Sequence, residues 1–333
     1  MTDLSRRQIL TGGAAAAITV AAAPAAAAAV QADEGAGAPD LRGKTILVTG
    51  TSSGFGRIGS LLYARAGARV IATMRGLPRP EAEELREAAR AERLDLHVVE
   101  IDVLDDASVA RGVAEAERIA GGGIDVLVNN AGIGLSGPVE LQDMEATKLV
   151  FDTNVYGYHR MARAVLPGMR AKGPGGVIFN VSSQLGRVIA PNIGHYSATK
   201  FAVEAMSEQM AYELAPRGIE VVIIQPGGYP TRIWESGARR TAALMERVEE
   251  ARKAGYPELM QGAVRSGGGS TDPADVPRAI AEIIAMPAGR RPLRRAVHPG
   301  ARPQEPINEV SARVQREMLG RGPFAPWAEA VLG

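Results

Sequence analysis

Residues 49–56 run Thr49-Gly50-Thr51-Ser52-Ser53-Gly54-Phe55-Gly56 and join a short apolar segment to one with helical periodicity. Glycines at this spacing permit a tight turn and a close approach of the backbone to a ligand. The helix behind them offers unpaired N–H groups and the positive end of its dipole, which favour a phosphate. A strand, this turn, a helix and a second strand follow in that order, so the stretch predicts a dinucleotide site and not merely a connecting turn.

The rest of the chain alternates short apolar runs with longer helical segments from residue 44 to about residue 298. Continuous apolar runs are typical of strands that are buried on both faces of a parallel sheet. We predict one α/β domain over residues 41–298, a doubly wound Rossmann fold with about seven mostly parallel strands and helices on both faces. The predicted strands are 45–49, 69–73, 96–100, 125–129, 176–181, 220–225 and 294–297. The predicted helices are 56–66, 80–93, 107–119, 147–170, 197–215 and 274–286.

Composition excludes several classes of protein. The chain has 38 Lys and Arg against 37 Asp and Glu, so its net charge of +1 argues against a nucleic-acid-binding protein. It has no cysteine, and its four histidines have no metal-ligand spacing. We therefore expect no metal site.

The first 32 residues resemble a twin-arginine export signal. Ser5-Arg6-Arg7 precedes an uncharged, alanine-rich run, and small residues around Ala32 make a cleavage site, with an alternative after Ala29. A membrane anchor is the other interpretation, but alanine and glycine make a poor one. We expect export by the twin-arginine route to the periplasm or another extracytoplasmic compartment. Residues 33–40 are then a flexible tether, and no other membrane association is expected.

The end of the second predicted strand bears on the choice of cofactor. Dinucleotide folds that prefer NAD commonly place an acidic residue there, to bind the adenosine ribose. Here Met74 and Arg75 occupy that position, and a guanidinium can bind a ribose 2′-phosphate. We predict NADP(H) over NAD(H). The alternative is that Arg75 is a solvated surface arginine.

Tyr196 and Lys200 are four residues apart at the start of a predicted helix, so their side chains lie on one face. A nearby ammonium favours the phenolate, and we expect it to lower the pKa of Tyr196 towards the range of general acid/base catalysis. Ser182 and Ser183 follow a predicted strand at the sheet edge where ligands bind in such folds.

With these residues together, the chain resembles the short-chain dehydrogenase/reductase family over roughly residues 40–298. The matching elements are the 49–56 turn, Asp102, the Asn-Asn-Ala-Gly run at 129–132, Asn154, Ser183, Tyr196 with Lys200, and Pro226-Gly227 before Thr231. The resemblance implies four catalytic residues. Tyr196 would exchange a proton with the substrate oxygen, which Ser183 would hydrogen-bond. Lys200 would hold the nicotinamide ribose, and Asn154 would anchor a water that links Lys200 to solvent.

The resemblance also implies the cofactor site. The residues assigned to it are Gly50, Ser52, Ser53, Gly54, Phe55, Gly56, Arg75, Asp102, Val103, Asn129, Ala131, Gly132, Tyr196, Lys200, Pro226, Gly227 and Thr231. Several have structural alternatives, such as a cap at Asp102, loop hydrogen bonds at Asn129 or a simple chain break at Pro226-Gly227.

The remaining segments concern the substrate and assembly. Residues 228–270 contain large apolar side chains and are predicted to form a lid over a bulky, partly hydrophobic substrate. The arginines around the last strand (Arg290, Arg291, Arg294, Arg295) are predicted to lie on a solvated face. Residues 299–333 are predicted to be an extension with one helical patch near 309–319. The resemblance implies a homodimer or homotetramer.

These observations together predict an NADP(H)-dependent oxidoreductase that interconverts an alcohol and a ketone or aldehyde. Two alternatives remain open, namely a cofactor-binding sensor or assembly protein without turnover, and an epimerase or dehydratase that retains its cofactor.

Overall fold

The computed structural model describes residues 39–261 and 269–333. The predicted export signal, most of the tether and part of the predicted lid lie outside these residues. The described strands are β1 Thr45–Thr49, β2 Arg69–Met74, β3 Leu96–Glu100, β4 Val126–Asn129, β5 Val177–Val181, β6 Glu220–Pro226 and β7 Arg294–Val297. They form one parallel sheet in the order β3-β2-β1-β4-β5-β6-β7. This order confirms the predicted doubly wound sheet.

Helices cover both faces of the sheet, as predicted. They are α1 Gly54–Arg65, α2 Pro80–Glu92, α3 Asp106–Ala120, α4 Met144–Phe151, α5 Gly157–Lys172, α6 His195–Leu214, α7 Arg232–Arg247, α8 Glu250–Lys253, α9 Pro257–Gln261, α10 Asp275–Ala285, α11 Glu305–Leu319 and α12 Ala325–Leu332. None of the helices in the described ranges is long and apolar enough to cross a membrane.

The core lies in two layers because side chains alternate between the faces of a strand. On β1, Ile46 and Val48 pack with residues of α1, α2 and α10, whereas Leu47 packs with residues of α3, α5 and α6. All five residues of β1 are buried. This two-sided burial explains why the central strands are continuous apolar runs.

The helix predicted over 147–170 begins earlier and is not regular. It starts at Met144, where the Asp143 side chain caps α4 by accepting a hydrogen bond from the backbone N–H of Ala146 at 2.8 Å. Between α4 and α5, residues Asp152–Tyr156 form a turn of π-helix. The prediction missed this turn, because hydrophobic periodicity does not distinguish an α-helix from one with a single widened turn.

The C-terminal extension contains two helices, not the single patch that the sequence predicts. α12 packs against α6, and the Tyr212 hydroxyl donates a hydrogen bond to Gln315 on α11 at 2.7 Å. Gln304 is fully buried and donates to the carbonyl of Gln225 at 3.2 Å. Residues 299–333 are therefore an integral layer of the domain.

The arginines of the last strand also differ from the prediction of a solvated face. The side chains of Arg291 and Arg294 are buried and form ion pairs with Glu220, Glu204 and Glu208. A buried guanidinium is tolerated only when it is paired, and the acidic partners come from other elements of the fold. Arg290 and Arg295 are more exposed, as predicted.

Candidate active site

A cavity of about 510 Å³ opens at the carboxyl ends of the strands, where parallel α/β sheets bind their ligands. Most of the predicted site residues line it, so residues as distant in the sequence as Gly50 and Thr231 meet in one cleft. These residues are Gly50, Ser52, Ser53, Gly54, Phe55, Arg75, Asp102, Val103, Ala131, Gly132, Ser183, Tyr196, Lys200, Pro226, Gly227 and Thr231.

The glycine turn is shaped for a close backbone approach. Gly50 has a φ of +71°, and a Cβ there would lie 2.7 Å from the Cα of Ala131. Gly54 has a φ of +54°, and a Cβ there would lie 3.3 Å from the Cβ of Thr231. Ser53 precedes α1 without making a side-chain cap within the described part of the chain. The first N–H groups of α1 are therefore available to a phosphate, which fits a dinucleotide.

Two residues assigned to the cofactor do not line the cleft. Asn129 is fully buried, and its Nδ2 donates to Oδ1 of Asn180 at 2.9 Å. Its neighbour Asn130 lines the cleft instead and donates to the carbonyl of Thr49 at 2.9 Å. Gly56 lies beneath the turn, where a Cβ would be 2.5 Å from the carbonyl oxygen of Gly50. Gly56 thus lies directly under the turn, whereas Asn129 links β4 to β5.

At the adenosine end, Arg75 is half exposed and has its guanidinium 4.0 Å from the carboxylate of Asp102. Asp102 also accepts a hydrogen bond from the backbone N–H of Leu104 at 3.1 Å, which is the capping role considered as its alternative. The residue at the end of β2 is Met74, so the strand itself presents no carboxylate to the ribose.

Tyr196 and Ser183 face each other across the cleft, Tyr196 in the first turn of α6 and Ser183 just after β5. Burial raises the pKa of Tyr196 to about 12, while a hydrogen bond with Ser183 acts in the opposite direction. The expectation that Lys200 lowers this pKa is not met in the structure. The reason is desolvation, which disfavours the phenolate more than the neighbouring groups favour it.

Lys200 lies one helical turn beyond Tyr196 and points towards β5. Its Nζ donates to the carbonyl of Val181 at 2.8 Å and lies 5.7 Å from the centre of the Tyr196 ring. Burial lowers the pKa of Lys200 to about 8, and the negative charge of Glu204 opposes that shift. The ammonium therefore lies over the face of the phenol ring.

Asn154 is brought close to the site but not into the cleft. It is fully buried in the π-helical turn, its Oδ1 accepts from the N–H of Ile133 at 2.8 Å, and its Nδ2 donates to Thr199 at 3.1 Å. The widened turn thereby connects the loop after β4 to α6. The expected role of Asn154 in anchoring a water stays a prediction.

The predicted lid contributes α7 to the wall of the cleft. A Cβ at Gly237 would lie 3.4 Å from the carbonyl group of Gly134, so the two backbones pass close to each other. Thr241 Oγ1 accepts a hydrogen bond from the N–H of Ser136 at 3.0 Å. Sequence reasoning did not single out several lining residues: Arg79, Glu81, Ile133, Leu135, Ser136, Leu149, Leu185, Ile193, Arg232 and Arg240. The helical spacing of Ile233, Gly237, Arg240 and Leu244 would have indicated a common face of α7.

Known proteins share this architecture and sequence. Residues 44–241 match the family model described as short chain dehydrogenase. An uncharacterized oxidoreductase, YusZ, of Bacillus subtilis is 36% identical over 77% of this chain and 88% of the relative. Retinol dehydrogenase 8 of Bos taurus is 32% identical over 84% of this chain and 91% of its own length.

Solved structures agree with these relatives. A short-chain dehydrogenase from Streptomyces avermitilis has 33% sequence identity and a TM-score of 0.63, covering 84% of this chain and 97% of that one. A short chain dehydrogenase/reductase from Burkholderia phymatum in complex with NAD has 26% identity and a TM-score of 0.67, with 85% and 97% covered. The protein is an oxidoreductase that acts on CH–OH groups, and the chain belongs to the short-chain dehydrogenase/reductase family.

Proposed function

We propose that the protein is an NADP(H)-dependent oxidoreductase that interconverts a secondary alcohol and a ketone, or an aldehyde and its alcohol, with Tyr196 as the general acid and base. The observation that carries the proposal is the meeting of Tyr196, Ser183 and Lys200 in the same cleft as the glycine turn. No feature of the cleft favours the sensor or the epimerase alternative over this reaction.

Tyr196, Ser183 and Lys200 each have a separate role in the proposed reaction. The nicotinamide, when bound, supplies or accepts the hydride. Tyr196 is protonated at neutral pH because its pKa is raised to about 12, so its hydroxyl can donate a proton to a carbonyl oxygen. Ser183 is within hydrogen-bonding reach of the phenol and can donate to the same oxygen as negative charge develops there. Lys200 places a positive charge over the face of the ring.

The preference for NADP(H) rests on Arg75. Arg75 follows β2 directly, and its half-exposed guanidinium forms a long ion pair of 4.0 Å with Asp102. It can therefore turn to a 2′-phosphate, which forms strong charge-assisted hydrogen bonds with arginine. Arg75→Ala is expected to lower the affinity for NADPH but not for NADH. An unchanged ratio of the two dissociation constants would remove this assignment.

The substrate is proposed to be bulky and partly hydrophobic. The apolar and aromatic residues that line the cleft include Leu185, Ile193, Tyr229, Ile233 and Trp234. Retinol dehydrogenase 8 and 17-beta-hydroxysteroid dehydrogenase type 1 are relatives named for large apolar substrates. Shape and lining thus favour a ring-containing or long-chain carbonyl compound over a small sugar.

The test measures the change in nicotinamide absorbance when the protein is mixed with its cofactor and a panel of bulky ketones, aldehydes and alcohols. NADPH and NADH are compared. Tyr196→Phe is expected to abolish turnover. Tyr212→Phe is the matched control, since Tyr212 lies on the same helix but bonds to Gln315 outside the cleft. Turnover that survives in Tyr196→Phe would contradict the role of the phenol. A wild-type protein that binds cofactor without turning over any substrate would favour the sensor.

Export and assembly complete the proposal. Replacing Arg6 and Arg7 by lysine is expected to retain the protein in the cytoplasm. Cell fractionation measures this, and an unchanged distribution between the compartments would contradict export.

We also propose that the protein forms a homodimer or homotetramer. Exposed apolar side chains near α4 and α6 support it, namely Met144, Leu149, Tyr156 and Phe201. Analytical ultracentrifugation tests it, and a monomer at micromolar concentration would contradict it.

A further inference from the structure

Arg240, on the lid helix α7, is a charged residue of the cleft for which the proposed chemistry has no use. It lines the same cavity as the glycine turn and Arg75. One nitrogen of its guanidinium, Nη1, is buried and has no hydrogen-bond partner among residues 39–261 and 269–333. Leaving a buried donor of a charged group unsatisfied is unfavourable, so a ligand in the cleft that accepts a hydrogen bond from Arg240 is favoured.

The charged residues around Arg240 indicate the charge of the ligand that it would bind. Burial lowers the pKa of Arg240, and the like charges of Arg75 and Arg239 act in the same direction. The carboxylates of the cleft are already engaged by other arginines. Glu81 pairs with Arg79 at 2.9 Å and with Arg232 at 3.5 Å. The partner is therefore an anion that can neutralise more than one guanidinium, as a phosphate does.

The position of Arg240 is held by the packing of α7. The next residue, Thr241, accepts the hydrogen bond from Ser136, and Leu244 is buried against Leu135 and Val150. The backbone of Gly237, three residues earlier, passes close to that of Gly134. These contacts hold α7 against the loop after β4 with Arg240 on the cleft, which reduces the entropy lost when the side chain binds a ligand.

We propose that Arg240 binds a phosphate group of the dinucleotide, so that helix α7 forms part of the cofactor site. The proposal rests on the nicotinamide-dinucleotide function proposed above. Two groups of the cofactor are phosphates that Arg240 can bind. NADPH and NADH share the pyrophosphate, and only NADPH carries the 2′-phosphate. Arg75, already assigned to the 2′-phosphate, is one of the charges that act on Arg240.

The test is fluorescence titration of the cofactor-free protein with NADPH and with NADH, in the absence of substrate. Arg240→Met keeps the apolar part of the side chain and removes the charge. Loss of a charge-assisted hydrogen bond is expected to raise the dissociation constant about 10- to 100-fold. A rise for NADPH alone assigns Arg240 to the 2′-phosphate, and a similar rise for both cofactors assigns it to the pyrophosphate.

Two variants keep the result interpretable. Arg247→Met removes the same charge from the same helix, where Arg247 pairs with Asp143 away from the cleft, and its affinities are expected to match those of the wild type. Arg240→Lys keeps a charge without the planar fork and is expected to bind with intermediate affinity. Thermal melting checks that each variant is folded.

The outcomes separate this inference from the proposed function. If Arg240→Met binds NADPH and NADH as tightly as a wild type that binds both, the phosphate role of Arg240 is wrong and the proposed function stands. A wild type that binds neither cofactor would overturn both.

Discussion

Arg294 on β7 donates a hydrogen bond from Nε to Oε2 of Glu204 on α6 at 2.9 Å, and both side chains are more than nine-tenths buried. The other oxygen of Glu204 accepts from Gln225 at 2.9 Å. Glu204 is one helical turn beyond Lys200, and its negative charge favours the ammonium there. The last strand is thereby connected to the helix that carries Tyr196 and Lys200.

Glu204→Gln is expected to destabilise the protein strongly. Removing the carboxylate leaves Arg294 buried with Glu208 as its remaining acidic partner, and breaking a buried ion pair in this way costs about 3 kcal/mol. Urea unfolding measures the change. Glu213→Gln is the control, because Glu213 is exposed on the same helix and accepts a hydrogen bond from the exposed Gln209. Equal free energies of unfolding for the two variants would contradict the role of the buried pair.

Gly50→Ala is expected to lower both stability and cofactor affinity. The added methyl would lie 2.7 Å from the Cα of Ala131, and the residue would keep a φ near +71°. Gly43→Ala is the matched control, since Gly43 has a φ of +78° but open space around its Cβ position. The free energy of unfolding of the control is expected to fall by about 1 kcal/mol from backbone strain alone. That of Gly50→Ala is expected to fall by about 1–3 kcal/mol more, because of the steric clash. Thermal melting and NADPH titration provide the two readouts. The steric explanation fails if both variants behave alike.

The lowered pKa of Lys200 predicts how stability depends on pH. The unfolded chain holds this proton up to a pH near 10.5, whereas the folded protein releases it near pH 8. The unfolded state binds more protons between these values, so stability rises with pH in that window. Between pH 7 and 9.5 the free energy of unfolding of the cofactor-free protein should rise by about 2 kcal/mol relative to Lys200→Met.

Urea unfolding at several pH values measures this difference. Tyr196 has the opposite sign, because its raised pKa makes the folded state hold the proton longer. Its effect begins only near pH 10, the ordinary pKa of a tyrosine, and so falls outside the window. A difference between wild type and Lys200→Met that is constant from pH 7 to 9.5 would show that burial does not shift Lys200.

Helix α11, the first of the two helices in the C-terminal extension, is expected to contribute to stability through Asn308. Its Nδ2 donates to Oε1 of the buried Gln225 at 2.7 Å. Asn308→Ala removes that donor and is expected to lower the free energy of unfolding by about 1–3 kcal/mol. Glu309→Ala, at the next and exposed position of α11, should change it by less than about 0.5 kcal/mol. Similar losses in both variants would contradict a specific role for the Gln225 contact.

Local sequence signals predicted the sheet and the motifs of the site. The apolar run before Gly50 is continuous because β1 is buried on both faces, and that pattern is legible in a single sequence. Tyr196 and Lys200 are equally legible, because one helical turn separates them. The position of the cleft is also predictable, because ligands bind at the carboxyl ends of the strands in parallel α/β sheets. The order of the strands within the sheet comes from the structure.

Tertiary structure decided what depends on distant partners. Whether Arg294 is solvated or buried is determined by Glu204 and Glu208, about 90 residues earlier, and no local pattern contains that pairing. The pKa of Tyr196 likewise depends on how completely other elements exclude water from its ring. The sequence by itself therefore determined the elements and the reacting residues through short-range periodicity and spacing. Only the tertiary structure decided burial, electrostatics and the place of Arg240 in the cleft, because these depend on contacts between residues far apart in the chain.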